Sequence, residues 1–125
     1  MPREFSRASR VSEVIQREVA VIIQAEMQDP RVEDVTVTYT KMSRDMSTAR
    51  IHFTRPGGEK AVSEALRVLN KAAGFIRHEL AERVDLRYVP NLRFFYDASV
   101  ERGRRVTELI DQAMSRDHSD GEAGE

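Results

Sequence analysis

Apolar residues early in the chain recur at helical spacing: Val11, Val14, Ile15, Val19, Ile22 and Ala25 share one side of a helical wheel. This pattern predicts a helix from about Ser9 to Gln28, with Glu18 on the inward side and in need of a partner. Asp29-Pro30 ends it, because proline has no N–H to donate and pushes the preceding residue out of helical geometry. The period then shortens to two. Val35–Met42 (VTVTYTKM) and Ser47–Thr54 (STARIHFT) read as strands, the second with Ala49, Ile51 and Phe53 on one face and Arg50, His52 and Thr54 on the other. Ser43-Arg44-Asp45-Met46 between them suits a hairpin, and Arg55-Pro56-Gly57-Gly58 stops the second strand.

The helical period returns at Val62, Leu66 and Leu69 and resumes at Ile76 and Leu80. Gly74 lies between, where glycine weakens a helix by roughly 1 kcal/mol relative to alanine. The expectation is two short helices within about Glu59–Arg83, meeting at Ala72-Ala73-Gly74 with bare backbone at the surface and Lys71 and Arg77 beside it. Leu92–Tyr96 (LRFFY), entered through Pro90, reads as a third strand, parallel to the second because a helical crossover joins them. Ser99–Met114 reads as a closing helix with Ser99 as its N-cap. The order predicts one α+β domain over residues 1–115, a three-stranded sheet with helices packed on one face. Residues 116–125 hold no apolar side chain larger than alanine and are expected to be a disordered acidic tail.

Composition narrows the functional classes. With no cysteine among 125 residues, a disulfide framework and a cysteine-ligated zinc site are both excluded. The longest apolar run, Val19–Ile23, is too short to span a bilayer, and Met1–Phe5 lacks the apolar core of a signal peptide. A cytoplasmic protein without a membrane role is the expectation. The net charge of −1 conceals a division: residues 111–125 carry five acids against Arg116, a net of −4, which leaves +3 for residues 1–110. A mildly basic body permits an anionic partner without announcing one.

No catalytic constellation is present in the sequence. His52, His78 and His118 are scattered, there is no HExxH, P-loop or dinucleotide fingerprint, and Asp45 and Asp97 read as turn and strand-end residues. The expectation is a protein that is not an enzyme, with no metal, cofactor or small-molecule substrate. The binding candidates are cationic. Lys71 and Arg77 flank the helix break, where the N–H groups of the second helix add positive partial charge. Lys41, Arg44, Arg50 and Arg55 gather around the hairpin, and Arg3, Arg7 and Arg10 form a basic leader. Arg83, Arg87 and Arg93 surround the approach to the third strand. Each of these also has the plain reading of a solvated surface position. Phe94, Phe95 and Tyr96 suggest base stacking, as on sheet-based RNA binders, but core packing is the expectation for at least one face of their strand; an exposed Tyr39 or Tyr96 stays open.

Five segments carry a family resemblance: Arg10-Val11 with its helix, Asp29-Pro30-Arg31, Met42-Ser43-Arg44-Asp45, Ala72-Ala73-Gly74-Phe75-Ile76-Arg77, and Pro90–Asp97 (PNLRFFYD). In this order the chain resembles the ribosome-binding factor A family. The resemblance implies a KH-like fold of type II, order α-β-β-α-α-β with a C-terminal helix. KH domains clamp RNA backbone with a GXXG loop between two helices. Here Ala72-Ala73-Gly74 lacks the first glycine, which favours recognition of folded rRNA by shape and charge. The family implies a partner: the small (30S) ribosomal subunit and its rRNA, in free or precursor form and not in assembled ribosomes. It further implies non-enzymatic help in maturing the 5′ end of 16S rRNA, with a role in cold adaptation; a monomer is expected. The RNA-binding set is then Arg7, Arg10, Lys41, Arg44, Arg50, Lys71, Ala72, Ala73, Gly74, Arg77, Arg83 and Arg87. The alternative is a general KH-type RNA-binding or protein-interaction module.

Overall fold

The computed structural model describes residues 3–99 and 109–114, with side chains from Arg7 onward. Its elements are α1 (Arg3–Ile22), a widened π turn (Ile23–Met27), β1 (Thr36–Met42), β2 (Thr48–Thr54), α2 (Gly58–Lys71), α3 (Ala73–Arg83) and β3 (Asn91–Tyr96). Residues 109–114 are helical, as expected for the closing helix. The remainder of that helix beyond Ser99, and the acidic tail at 116–125, lie outside the described residues.

The first helix differs from its sequence reading at both ends. It begins at Arg3, so Arg7 and Arg10 are helical surface residues and not a leader ahead of the helix. Nothing in Arg3–Ala8 breaks a helix, so the backbone continues ahead of Val11, where the apolar period begins. At the other end the regular helix stops at Ile22, and the wider turn lets Ile22 and Ile23, adjacent in sequence, both enter the core at 0% and 2% exposure. Gln28 closes this segment in the left-handed region at φ 47°. Asp29 then shapes the exit: its Oδ1 accepts from the Arg31 N–H at 2.9 Å, and its carbonyl accepts from the Val32 N–H at 3.0 Å.

The sheet order is β1-β2-β3. β1 and β2 pair antiparallel from Met42↔Ala49 to Thr36↔Thr54, with a bulge at Thr38. β2 and β3 pair parallel from Thr48↔Asn91 to Phe53↔Tyr96, as the crossover argument requires. One face is covered. Ala49, Ile51 and Phe53 of β2 and Leu92 and Phe94 of β3 join Ile15, Val19 and Ile22 of α1, Leu69 of α2, and Ile76 and Leu80 of α3 in a single core. Each large side chain buried there contributes about 1.5–3 kcal/mol relative to exposure. Thr40 is the polar intruder: its hydroxyl is buried and has no hydrogen-bond partner among the described residues.

Two contacts set where the helix pair lies. Gly57 precedes α2 at φ +107°, and a Cβ there would stand 2.9 Å from the Ala61 Cβ, so the turn and the close approach both demand glycine. At the other end of α2, the Asn70 side chain meets the β3 backbone twice, donating to the Phe94 carbonyl at 3.1 Å and accepting from its N–H at 2.9 Å. That pair satisfies backbone groups of β3 and pins the end of α2 to the strand.

Candidate nucleic-acid interface

The break between α2 and α3 falls at Ala72, whose φ of −90° and ψ of 4° leave helical geometry for one residue. Hydrogen bonding is nearly continuous across it, with Ala72 N–H donating to Val68 and Ile76 N–H to Ala72, each at 2.9 Å. Gly74 is an exposed residue within α3, and a Cβ on it would meet nothing within 4 Å. The expectation of bare backbone at Ala72-Ala73-Gly74 is corrected accordingly. Ala72 and Ala73 are half-buried against the core, because small side chains let the bend settle inward, and only Gly74 of the three is exposed.

The cations divide into engaged and free. Arg77 was expected to face a ligand, but its Nε and Nη2 donate to the Val89 carbonyl at 3.2 and 2.8 Å, and Nε also reaches the Pro90 carbonyl at 3.2 Å. It braces the loop that leads into β3. Arg83 pairs with Glu26 at 3.1 Å and with Glu18 at 3.9 Å, tying the end of α3 to α1 and supplying the partner Glu18 needs. Arg55 does not belong to the hairpin cluster. It lies beyond the far end of β2, where its Nε meets Asp34 at 2.8 Å and its Nη1 donates to the Ala61 carbonyl at 2.6 Å. The Arg87 guanidinium lies over the ring of exposed Tyr88, 5.6 Å from its centroid.

By contrast, the side chains of Arg7, Arg10, Lys41, Arg44, Arg50, Lys71 and Arg93 are exposed and have no ion-pair or hydrogen-bond partner among the described residues. The ladder sets Lys41 beside Arg50, and Arg44 stands in the turn that joins their strands. That turn is held by Asp45, whose Oδ1 accepts from Ser47 Oγ at 2.7 Å, Ser43 Oγ at 2.8 Å and the Ser47 N–H at 3.1 Å. These bonds, led by the Ser47 hydroxyl, lower the Asp45 carboxyl to about 2. Asp29 is likewise lowered to about 2, chiefly by the Arg31 guanidinium. Asp97 follows β3 and accepts from the Ser99 N–H at 2.9 Å; the helix that Ser99 is expected to cap continues outside the described residues. The Ser99 and Thr38 hydroxyls hold the Asp97 carboxyl below its ordinary range.

Lys71 also borders an open groove of about 400 Å³ between the exit of α1 and α2, lined in part by Met27, Arg31, Arg67 and Ala72. Arg67 escaped the sequence reading although it stands four residues before Lys71 on α2 and therefore shares its helix face. Arg93 is not among the residues the sequence assigns to the binding set. Its position opposite Arg50 in the β2–β3 ladder was set by register, which the sequence does not display.

A three-stranded mixed sheet covered on one face, with a bent helix pair linking its two parallel strands, defines a KH-like α+β domain. Comparison with known proteins agrees. The model of the family described as ribosome-binding factor A matches residues 7–110. Ribosome-binding factor A of Nitrosococcus oceani is 50% identical over 123 residues, covering 98% of this chain and 96% of its own. The Pseudomonas fluorescens protein of the same name is 44% identical over 125 residues, covering 98% and 94%. In three dimensions, the crystal structure of the Thermus thermophilus factor superposes with a TM-score of 0.63 at 30% identity, covering 71% of this chain and 94% of that one. Coordinates of the Thermus thermophilus factor fitted into a cryo-EM map of its complex with 30S give 0.60 at 30% identity, covering 71% and 93%. The chain belongs to the ribosome-binding factor A family.

Proposed function

We propose that this protein binds the small ribosomal subunit through rRNA, in its free or precursor form and not in assembled ribosomes. Acting as a monomer in the cytoplasm, it assists late maturation of the 5′ end of 16S rRNA without catalysing a reaction, and the need for it is greatest in the cold. The observation that supports this most is family membership over residues 7–110, together with a relative fitted into a 30S complex. The free cations supply the chemistry. Lys41, Arg44, Arg50 and Lys71 are available to phosphates, with Arg7, Arg10 and Arg87 extending the surface, while Arg77 and Arg83 hold the framework that presents them. The short Ala72-Ala73-Gly74 bend shapes the approach instead of gripping a single strand. The mechanism is differential affinity: a factor that binds one rRNA conformation more tightly than its competitors raises the population of that conformation.

Co-sedimentation with free subunits, precursor subunits and assembled ribosomes at two salt concentrations tests this reading. Binding is expected to the first two and not the third, and to fall steeply with salt because phosphate contacts release counterions. Lys71→Glu combined with Arg44→Glu is expected to abolish binding while circular dichroism stays unchanged. Full retention of binding by that variant, or affinity indifferent to salt, would refute the electrostatic account.

A further inference from the structure

The face of the sheet opposite the core carries an ordered pattern of its own. Both ladders place Lys41, Arg50 and Arg93 side by side across β1, β2 and β3. Like charges directly opposite one another destabilise a sheet. All three are exposed and none has an ion-pair partner among the described residues. One step along the strands, the same ladders align Tyr39, His52 and Phe95. Their rings touch in series: the Tyr39 and His52 centroids are 5.5 Å apart, and His52 stacks on Phe95 at 5.5 Å with a 27° interplanar angle. Tyr39 is 51% exposed. Beyond the rings, Thr38 donates to Asp97 at 2.6 Å, so an acid closes the far end. The face is therefore graded from cations through rings to an anion.

We infer that this open face, to which Lys41 and Arg50 belong, takes unpaired nucleotides, their bases on the Tyr39–His52–Phe95 row and their phosphates on the Lys41–Arg50–Arg93 row. Residues two apart on a strand are separated by about 6.6–6.8 Å, a spacing that lets one nucleotide reach both rows. Aromatic rings on a sheet stack unpaired bases, which a duplex keeps inaccessible, and every base offers a π-face. The end carboxylate repels phosphate and so orients the strand towards the cations. Uncompensated like charge in the free protein is the expected companion of a site that is neutralised by an anionic ligand. The inference rests on the RNA-directed reading above and adds to it the aromatic row and the form of RNA recognised.

The test uses the full chain and oligouridylate, a single strand that forms no duplex. On titration, the ring-proton resonances of Tyr39, His52 and Phe95 are expected to move together in the NMR spectrum. Tyr39→Leu with His52→Leu is expected to weaken oligouridylate binding by roughly tenfold, whereas Tyr39→Phe keeps the parent affinity. Should the double variant fail to fold by circular dichroism, Tyr39→Leu alone, at an exposed site, carries the same expectation. Parent-like affinity in a folded leucine variant, unmoved rings, or equal competition by duplex RNA would overturn the inference. Ring shifts that follow protein concentration without RNA would assign the face to a second copy of the chain and overturn it as well. If free subunits bind but oligouridylate does not, this inference fails and the subunit reading stands. If neither binds, both fail.

Discussion

The two faces of the sheet are built from the same three strands and differ in what holds each residue in place. On the covered face, Ile51, Phe53 and Phe94 are buried by the helices, and their contribution is measured in stability. On the open face, Lys41, Arg50 and Arg93 repel one another and have no ion-pair partner among the described residues. A strand side chain that costs stability where it stands, next to a neighbour that supplies it, marks the open-face cations as the ones the fold does not need, which is the ground of the binding role proposed for them. The same division runs through the arginines. Arg55, Arg77 and Arg83 are held by carboxylates or carbonyls, and Arg44 and Arg50 have no partner among the described residues.

The largest effect that would sharpen this contrast is expected on the covered face. Phe53→Ala should destabilise by about 3–5 kcal/mol in denaturant unfolding, because a fully buried ring leaves a cavity the core cannot close. A loss below 1 kcal/mol would mean that the core is looser than its burial implies. Thr40 breaks the rule of its own face, so Thr40→Val should stabilise by about 1 kcal/mol through removal of an unpaired buried hydroxyl. A destabilised valine variant would reveal a partner for that oxygen. On the open face the signs oppose each other: Arg50→Glu, set between Lys41 and Arg93, should raise stability by about 0.5 kcal/mol while weakening subunit binding. If stability and binding fell together, the two faces would not be independent.

Gly74→Ala should stabilise α3 by about 0.5–1 kcal/mol, since the site is helical, exposed and open to a Cβ. Subunit binding that survives this change would remove the bare glycine backbone from the recognition surface. The smallest effect concerns pH. The Asp45 carboxyl, lowered to about 2 by Ser47 and Ser43, stabilises the hairpin turn only while ionised. That support is complete above the unfolded carboxylate value of about 3.9 and is lost as pH falls through the folded value. Carboxyl NMR titration should place the Asp45 midpoint near 2, and an ordinary midpoint would mean the turn bonds do not persist in solution.

Much of the fold was legible in the chain. The two-residue period of STARIHFT marked Ala49, Ile51 and Phe53 as inward and Arg50 and His52 as outward, and all five lie that way. Helical spacing from Val62 to Leu80 located both helices of the bent pair. The exposure of the candidate cations was legible in part. Lys41, Arg44, Arg50 and Lys71 are exposed and have no partner among the described residues. The engagement of Arg77 and Arg83 was not legible, because nothing near them in sequence revealed Val89, Pro90, Glu18 or Glu26 as partners. The start of α1 is not legible for a related reason: the apolar spacing that marks the helix begins only at Val11.

Sequence alone therefore determined the elements, their inward faces and the glycine turn at Gly57, since backbone geometry imposes periods of 3.6 and 2 on whichever residues are buried. Tertiary structure decided the rest. It determined which arginines are tied down, where the helix pair bends, and that three cations and three rings from separate strands form two aligned rows. Those outcomes depend on ladder register and on partners remote in the chain, and register is settled only when the covered face packs.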